Sequence, residues 1–409
     1  MNRHYPDLLA AWLEYMQFSD TPIVYQKWAF VSCIAGALER KVWLIKDHDT
    51  GWYPNLYVFL VGPAGSGKST VAETAVSMLQ EVEGVDFLAD DLNQTTLFHG
   101  LAEIGKRKKF QWNGEFYPHS AAMLFSSEAS ETFVEQHRGG GIIKKLVSLY
   151  NGGPLNWSLR HGPARSTRID GDIKLLNPCI NLLACSTASW LITKCITKND
   201  AVGGFGSRIL LVVSKDGMKE KIEWENAKQV KDMMLRARII EDLKVIHELK
   251  GSYMSSACFR DAWRECTKKF IDWKSERNRT GLFGDYSQRK MVQLCKLSMI
   301  IAASRRNELI IMGKDLIDAW DMLSEIEPAM IEVLSDLELS PDAKAQRDIV
   351  DYLRRTQKRQ ITRAELHRDF RGLYFEELER AIKGLLTIGK LAIIEQTHTR
   401  ILYQFIDTQ

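Results

Sequence analysis

The octapeptide Gly62-Pro63-Ala64-Gly65-Ser66-Gly67-Lys68-Ser69 follows the apolar run 56–61 and precedes the helix-compatible stretch 70–79. A strand, a glycine-rich turn and a helix in that order restrict the chain to folds in which a parallel sheet delivers a helix N-terminus to one edge. The chemistry is as narrow as the geometry. Glycines let backbone N–H groups curl around an anion, and the helix N-terminus adds partial positive charge. Lys68 then reaches the β- and γ-phosphates, and Ser69 offers its hydroxyl to a divalent cation. The sequence therefore predicts a site for a nucleoside triphosphate with Mg2+, lined by Gly62, Pro63, Ala64, Gly65, Ser66, Gly67, Lys68, Ser69 and Thr70.

A chain of 409 residues with 45% hydrophobic content supports two or three packed cores. Residues 1–50 carry apolar side chains at helical spacing, with Leu8, Leu9, Trp12, Leu13 and Met16 on one face, and read as an N-terminal helical collar. Residues 51–214 change to short β-rich runs separated by helices: 56–61, 85–88, 121–126, 179–185 and 209–213. Five buried strands with helical crossovers imply an α/β fold with a parallel sheet, the ATPase core. A charged linker at 215–221 leads to a nearly all-helical segment, 222–339, expected to act as a lid. After Ser340-Pro341, residues 343–409 give three helical runs and two strands around a polar turn, the plan of a winged helix.

The seven cysteines form no CxxC pair, which favours a reducing cytoplasm and argues against zinc or disulfides. No charged-then-apolar leader opens the sequence, and the longest apolar stretch, 180–192, is too short and polar to span a bilayer. A net charge of +3 identifies no partner by itself.

Around the glycine-rich turn, candidate chemistry clusters at strand ends. The run 121–126 ends in Ser127-Glu128, where a triphosphatase needs a carboxylate to polarise the attacking water. Glu128 is the candidate base and, with Ser69, a candidate on the metal side; Ser127 stands where an Asp usually helps hold Mg2+. Asp90-Asp91 is the competing acidic pair. Thr187, at the end of 179–185, offers a hydroxyl to sense the γ-phosphate or place water. Arg208, on the glycine-rich loop ahead of 209–213, suits an arginine finger inserted into a neighbouring subunit's site. For nucleic acid there are two candidate segments. Lys106, Arg107, Lys108 and Lys109 precede an aromatic β-hairpin with an Asn113-Gly114 turn, and Arg160, Arg165 and Arg168 occupy an inserted basic hairpin.

These residues together resemble the AAA+-like P-loop ATPases of phages, plasmids and integrated elements that serve as replicative helicases or as the helicase half of primase-helicases. The resemblance covers about residues 5–330. It rests on Tyr53-Pro54-Asn55 leading into GPAGSGKS, the FSSE ending, LYNGGP at 149–154, the NPCINLLACST run and the GGFGSRILLV loop, the last also similar to minichromosome-maintenance helicases. It implies a homo-hexameric ring with ATP between subunits, acting on single-stranded DNA, with a possible primase or replication partner and duplex DNA met through the winged helix. Lys68 and Ser69 match the Walker A positions, Glu128 the Walker B glutamate, Thr187 the first sensor, Arg208 the finger and Arg289 a second-sensor arginine. The expected activity is an ATP-dependent DNA helicase or translocase in phage or mobile-element replication; the alternative is an ATP-regulated initiator or loader that does not unwind DNA. A small-molecule phosphotransferase is a third reading, disfavoured by the chain's length.

Overall fold

All five residues of Tyr57–Val61 are buried, because hydrogen-bonded strands flank the strand on both sides and helices cover its faces. The computed structural model describes residues 3–47, 50–89, 93–133, 142–151, 158–161, 173–191, 204–214, 232–276, 282–338, 341–397 and 400–407. Across the central sheet the order is Ile209–Val213, Tyr57–Val61, Pro178–Ser186, Ser120–Ser126 and Phe87–Leu88, and every pairing is parallel. The protein is thus mixed α/β around a five-stranded parallel sheet.

That order positions the site. From Tyr57–Val61 the helix Lys68–Gln80 carries the chain to the far edge at Phe87–Leu88. It then steps back through Ser120–Ser126 and Pro178–Ser186 and crosses to Ile209–Val213 at the other edge. The connections leaving the neighbours Tyr57–Val61 and Pro178–Ser186 therefore diverge, which opens a crevice outside their carboxyl ends. The helix Ile23–Leu38 packs on Lys68–Gln80 and on the sheet, while Gln94–Arg107 packs on Ser120–Ser126. The second of these starts at a capping box in which Asn93 and Thr96 bond each other's backbone.

Two expectations need correction. Residues 1–50 are not purely helical, and neither is the segment after 222. Val42–Asp47 pairs in parallel with Gly251–Ser255 and antiparallel with Thr50–Trp52, and Ile310–Ile311 completes a second sheet of four strands. Local pattern does not register the pairing of Val42–Asp47 with Gly251–Ser255, which joins segments some two hundred residues apart in the sequence. The chain accordingly divides into one compact unit at Met1–Leu334 and another at Ser335–Gln409. The second holds helices Pro341–Thr356, Arg363–Asp369 and Phe375–Thr387 and the strands Leu391–Gln396 and Ile401–Phe405. A third strand, Gln360–Thr362, pairs with Ile401–Phe405 and was not legible in the sequence. Its own core includes Ile349, Leu353, Leu366, Leu378, Ile382 and Tyr403.

A buried polar cluster ties the N-terminal segment to the rest of the first unit. Lys41 Nζ donates to the carbonyl of His247 and lies 3.0 Å from its Nδ1, while Nδ1 also approaches Ala37 O at 3.0 Å. Burial, opposed by Glu39, brings Lys41 down to about 8. Burial together with the Lys41 charge brings His247 down to about 4. Between the ordinary histidine value of about 6.5 and 4, the unfolded chain therefore binds a proton that native His247 refuses. Stability is expected to fall as pH drops through that window, by about 3 kcal/mol from this residue, and to level off below it. Urea midpoints measured from pH 7.5 to 4.5 should decline less steeply in His247→Gln than in the parent; parallel profiles would remove His247 as the cause.

Candidate functional site

The Gly62–Ser69 loop leaves Val61 at the carboxyl end of the central sheet. Gly62 N–H donates to Ser186 O at 3.2 Å, which ties the loop's first residue to the neighbouring strand. Gly67 sits at φ 77° and begins the helix Lys68–Gln80 with no side-chain cap. The first N–H groups of that helix have no intrahelical acceptor, so its N-terminus is open to an anion. Pro63, Ala64 and Gly65 form the exposed rim, and Thr70 is exposed on the first helical turn.

Lys68 is largely buried, and its ammonium donates to Gly62 O at 3.1 Å and Pro63 O at 2.8 Å. Burial lowers its proton affinity, opposed by Cys185 and by the charge of Glu128. Ser69 Oγ donates to Ser127 O at 3.0 Å, so the hydroxyl that starts the helix lies against the end of Ser120–Ser126. Glu128 follows at once, exposed, with Oε1 accepting from Ser130 Oγ at 2.9 Å. Burial drives the Cys185 thiol up to about 12, opposed by Lys68 and by a hydrogen bond with Ser69. Lys68, Ser69 and Glu128 therefore share one corner of the crevice. Thr187 adjoins it, because Ser186 is in register with Val61; its Oγ1 accepts from Trp190 N at 3.3 Å and caps a short helical turn.

Arg208 and Arg289 are elsewhere. Ile209 is in register with Tyr57 and Val213 with Val61, so Arg208 stands at the amino edge, roughly 20 Å along the strand from Gly62. Its guanidinium is turned back on its own loop, where Nη1 donates to Gly204 O at 2.5 Å. Arg208 is 7% exposed, and among the described residues its Nε has no hydrogen-bond partner. Arg289 joins the same edge: its charge acts on Arg208, and Nη1 donates to Asn151 Oδ1 at 3.1 Å. Beneath them, buried Lys296 bonds Asn55 Oδ1 at 2.8 Å and lies 3.6 Å from the Tyr150 ring centre. Burial, reinforced by Arg289, Arg208 and Arg40, holds its proton affinity well below the usual lysine range.

The basic segments divide differently. The Asn113-Gly114 hairpin is present, with positive φ at both turn residues. Lys106 pairs with Glu103, Arg107 with Asp86, and Lys108 with Glu39 and Asp86, while Lys109 lies over the Phe116 ring. Lys108 is thus committed to the protein interior rather than to a nucleic acid. The second hairpin pairs Ser158–His161 with Ile173–Leu176 and sets Arg160 opposite Lys174 in the backbone register. Arg165, Arg168, Asp90 and Asp91 lie outside the described residues. Among the described residues no three His, Cys, Asp or Glu side chains gather as a self-sufficient metal site, and no helix is long and apolar enough to cross a membrane.

Sequence reasoning missed one residue that shapes the loop. Tyr25, fully buried on Ile23–Leu38, donates from Oη to Val61 O at 2.7 Å and accepts from Ser214 N at 3.2 Å. It clasps the ends of two adjacent strands, and a Cβ on Gly62 would overlap its hydroxyl. Only glycine fits there. No signal beyond helical periodicity marked Tyr25, since the partner is fixed by packing.

No protein-family model matches the chain, and no curated protein matches it either.

Gly62→Ala is expected to cost about 1–3 kcal/mol through overpacking, and Tyr25→Phe about 1 kcal/mol through the lost hydrogen bonds. The double variant should be destabilised by less than the two together, since removing the hydroxyl relieves the overlap. Additive urea-unfolding costs would place the Gly62 requirement elsewhere.

Proposed function

We propose that the chain is an ATP-hydrolysing, ring-forming motor that translocates on or unwinds DNA in the replication of a phage or mobile element. The observation that carries this reading is the uncapped, glycine-rich start of Lys68–Gln80, set beside Lys68, Ser69 and Glu128 at one corner of the sheet's carboxyl edge.

The residues present fit ATP and Mg2+. Lys68 presently satisfies its donors on two loop carbonyls, and a phosphate is a better acceptor for the same ammonium. Ser69 would hold the cation together with phosphate oxygens, and Mg2+ bound there neutralises charge on the phosphates. Glu128, exposed at the end of its strand, accepts a proton from water or orients it for in-line attack. With Ser127 in place of the usual Asp, Glu128 is the candidate carboxylate beside Ser69 on the metal side as well. Thr187, beside the loop, has its O–H to offer the γ-phosphate while its oxygen still accepts from Trp190 N.

Arg208 supports a shared site. It is too far along the strand to reach the Gly62–Ser69 loop of its own chain, and its buried Nε has an unfilled donor among the described residues. A neighbouring copy's nucleotide supplies the acceptor, with Arg289 at the same edge. The ring is the assembly in which every copy both lends and receives these arginines. The second unit, with three helices and a three-stranded antiparallel sheet, is read as a winged helix and as the accessory part.

ATPase rate and oligomeric state, measured with and without single-stranded DNA, test the reading directly. Stimulated hydrolysis with strand displacement supports a motor; tight duplex binding without unwinding turns it into an initiator or loader. Lys68→Ala should abolish turnover, whereas Glu128→Gln should keep nucleotide binding and stall hydrolysis. Arg208→Ala should cost on the order of 10³ in rate, and mixing it with Lys68→Ala protein should restore a fraction of activity at mixed interfaces. Full activity in the Arg208 variant, or no recovery on mixing, would refute the shared site.

A further inference from the structure

The second unit contains a groove that the motor reading does not use. It is lined by Thr362, Arg363, His367, Phe375, Thr397 and Arg400 and encloses about 700 Å³. We propose that this groove binds single-stranded nucleic acid, stacking a base on Phe375 and placing a backbone phosphate against Arg400.

Phe375 starts the helix Phe375–Thr387, yet it is 61% exposed and lies outside the core of the unit. One side of the ring is held by His367, stacked at 4.7 Å with an interplanar angle of 22°. The Arg363 guanidinium lies 5.7 Å from its centre. Glu379 orients both neighbours, accepting at one oxygen from Arg363 Nε at 2.7 Å and meeting His367 Nε2 at 2.7 Å. The platform is thus braced while much of the phenyl surface faces water, the arrangement that a sequence-tolerant base stack needs.

Arg400 supplies the charge. Thr397 Oγ1 accepts from Arg400 N at 3.1 Å and, in turn, approaches Arg400 O at 3.2 Å, which ties Arg400 to the end of the preceding strand. Among the described residues no carboxylate pairs with the Arg400 side chain, whereas the Arg363 charge is balanced by Glu379. One cation beside one open ring matches one nucleotide step. Duplex read through the helix Phe375–Thr387 is the poorer fit, because its first turn carries Glu376 and Glu377, which repel phosphates. A paired base also presents no free face for stacking.

The inference is independent of ATP hydrolysis. It is tested on the full chain, without nucleotide, by photo-crosslinking to short single strands carrying 5-iodouracil, one series of DNA and one of RNA. The adducts are mapped by peptide mass spectrometry. An adduct on Phe375 or His367 is expected, and the more reactive series identifies the sugar. Arg400→Gln should lower the yield at that peptide roughly tenfold, and Arg400→Lys should restore much of it. Arg400 is exposed and outside the hydrophobic core, so each variant is expected to fold, which circular dichroism checks. Adducts confined to residues 1–334, or an undiminished yield in Arg400→Gln, would overturn the proposal.

Discussion

The arrangement depends on how closely the helix Ile23–Leu38 approaches the end of Tyr57–Val61. Tyr25 Oη bonds Val61 O and Ser214 N, so one buried hydroxyl joins the carboxyl ends of two parallel strands. A buried hydroxyl without partners is costly, and a second side chain in its place would be too. Both conditions force Gly62 and hold the loop's entry, from which Lys68 and Ser69 are positioned. The helix Ile23–Leu38 is therefore part of the site's foundation, although Tyr25 is itself fully buried.

The central sheet separates two kinds of charge. At the carboxyl edge, Lys68 faces loop carbonyls within range of the Glu128 charge. At the amino edge, Arg208, Arg289 and buried Lys296 gather around Tyr150 with amide and carbonyl partners. Like charges crowded in a low-dielectric region are unfavourable unless an anion arrives, and Lys296 already yields by losing proton affinity. Under the proposed shared-site reading, the negative charge that would relieve this crowding comes from a neighbouring subunit's nucleotide.

Much of the first unit was legible because its strands are buried on both faces and read as continuous apolar runs. The 209–213 segment and the 56–61 segment, observed as Tyr57–Val61, are such cases. The Asn113-Gly114 turn was legible for a different reason, since both residues tolerate positive φ. Gly251–Ser255 was not, because Gly-Ser-Tyr-Met-Ser is no continuous apolar run, and Ile310–Ile311 was not, because two residues carry no period. The basic run 106–109 misled in the same way: composition shows the cations, and only the fold shows Glu39 and Asp86 waiting for two of them, Arg107 and Lys108.

Sequence alone determined the glycine-rich turn between strand and helix, the candidate carboxylate at a strand end and the arginine at a strand start, because each is a local pattern of residue type and spacing. Tertiary structure decided which of these meet. Parallel register brings Ser69 against Ser127 and leaves Arg208 at the opposite edge from Gly62. It also decided that Arg289 belongs with Arg208 rather than with Lys68. Side-chain spacing repeats along one element, whereas the order of strands in a sheet is settled by long-range packing, and no residue's neighbours in sequence record it.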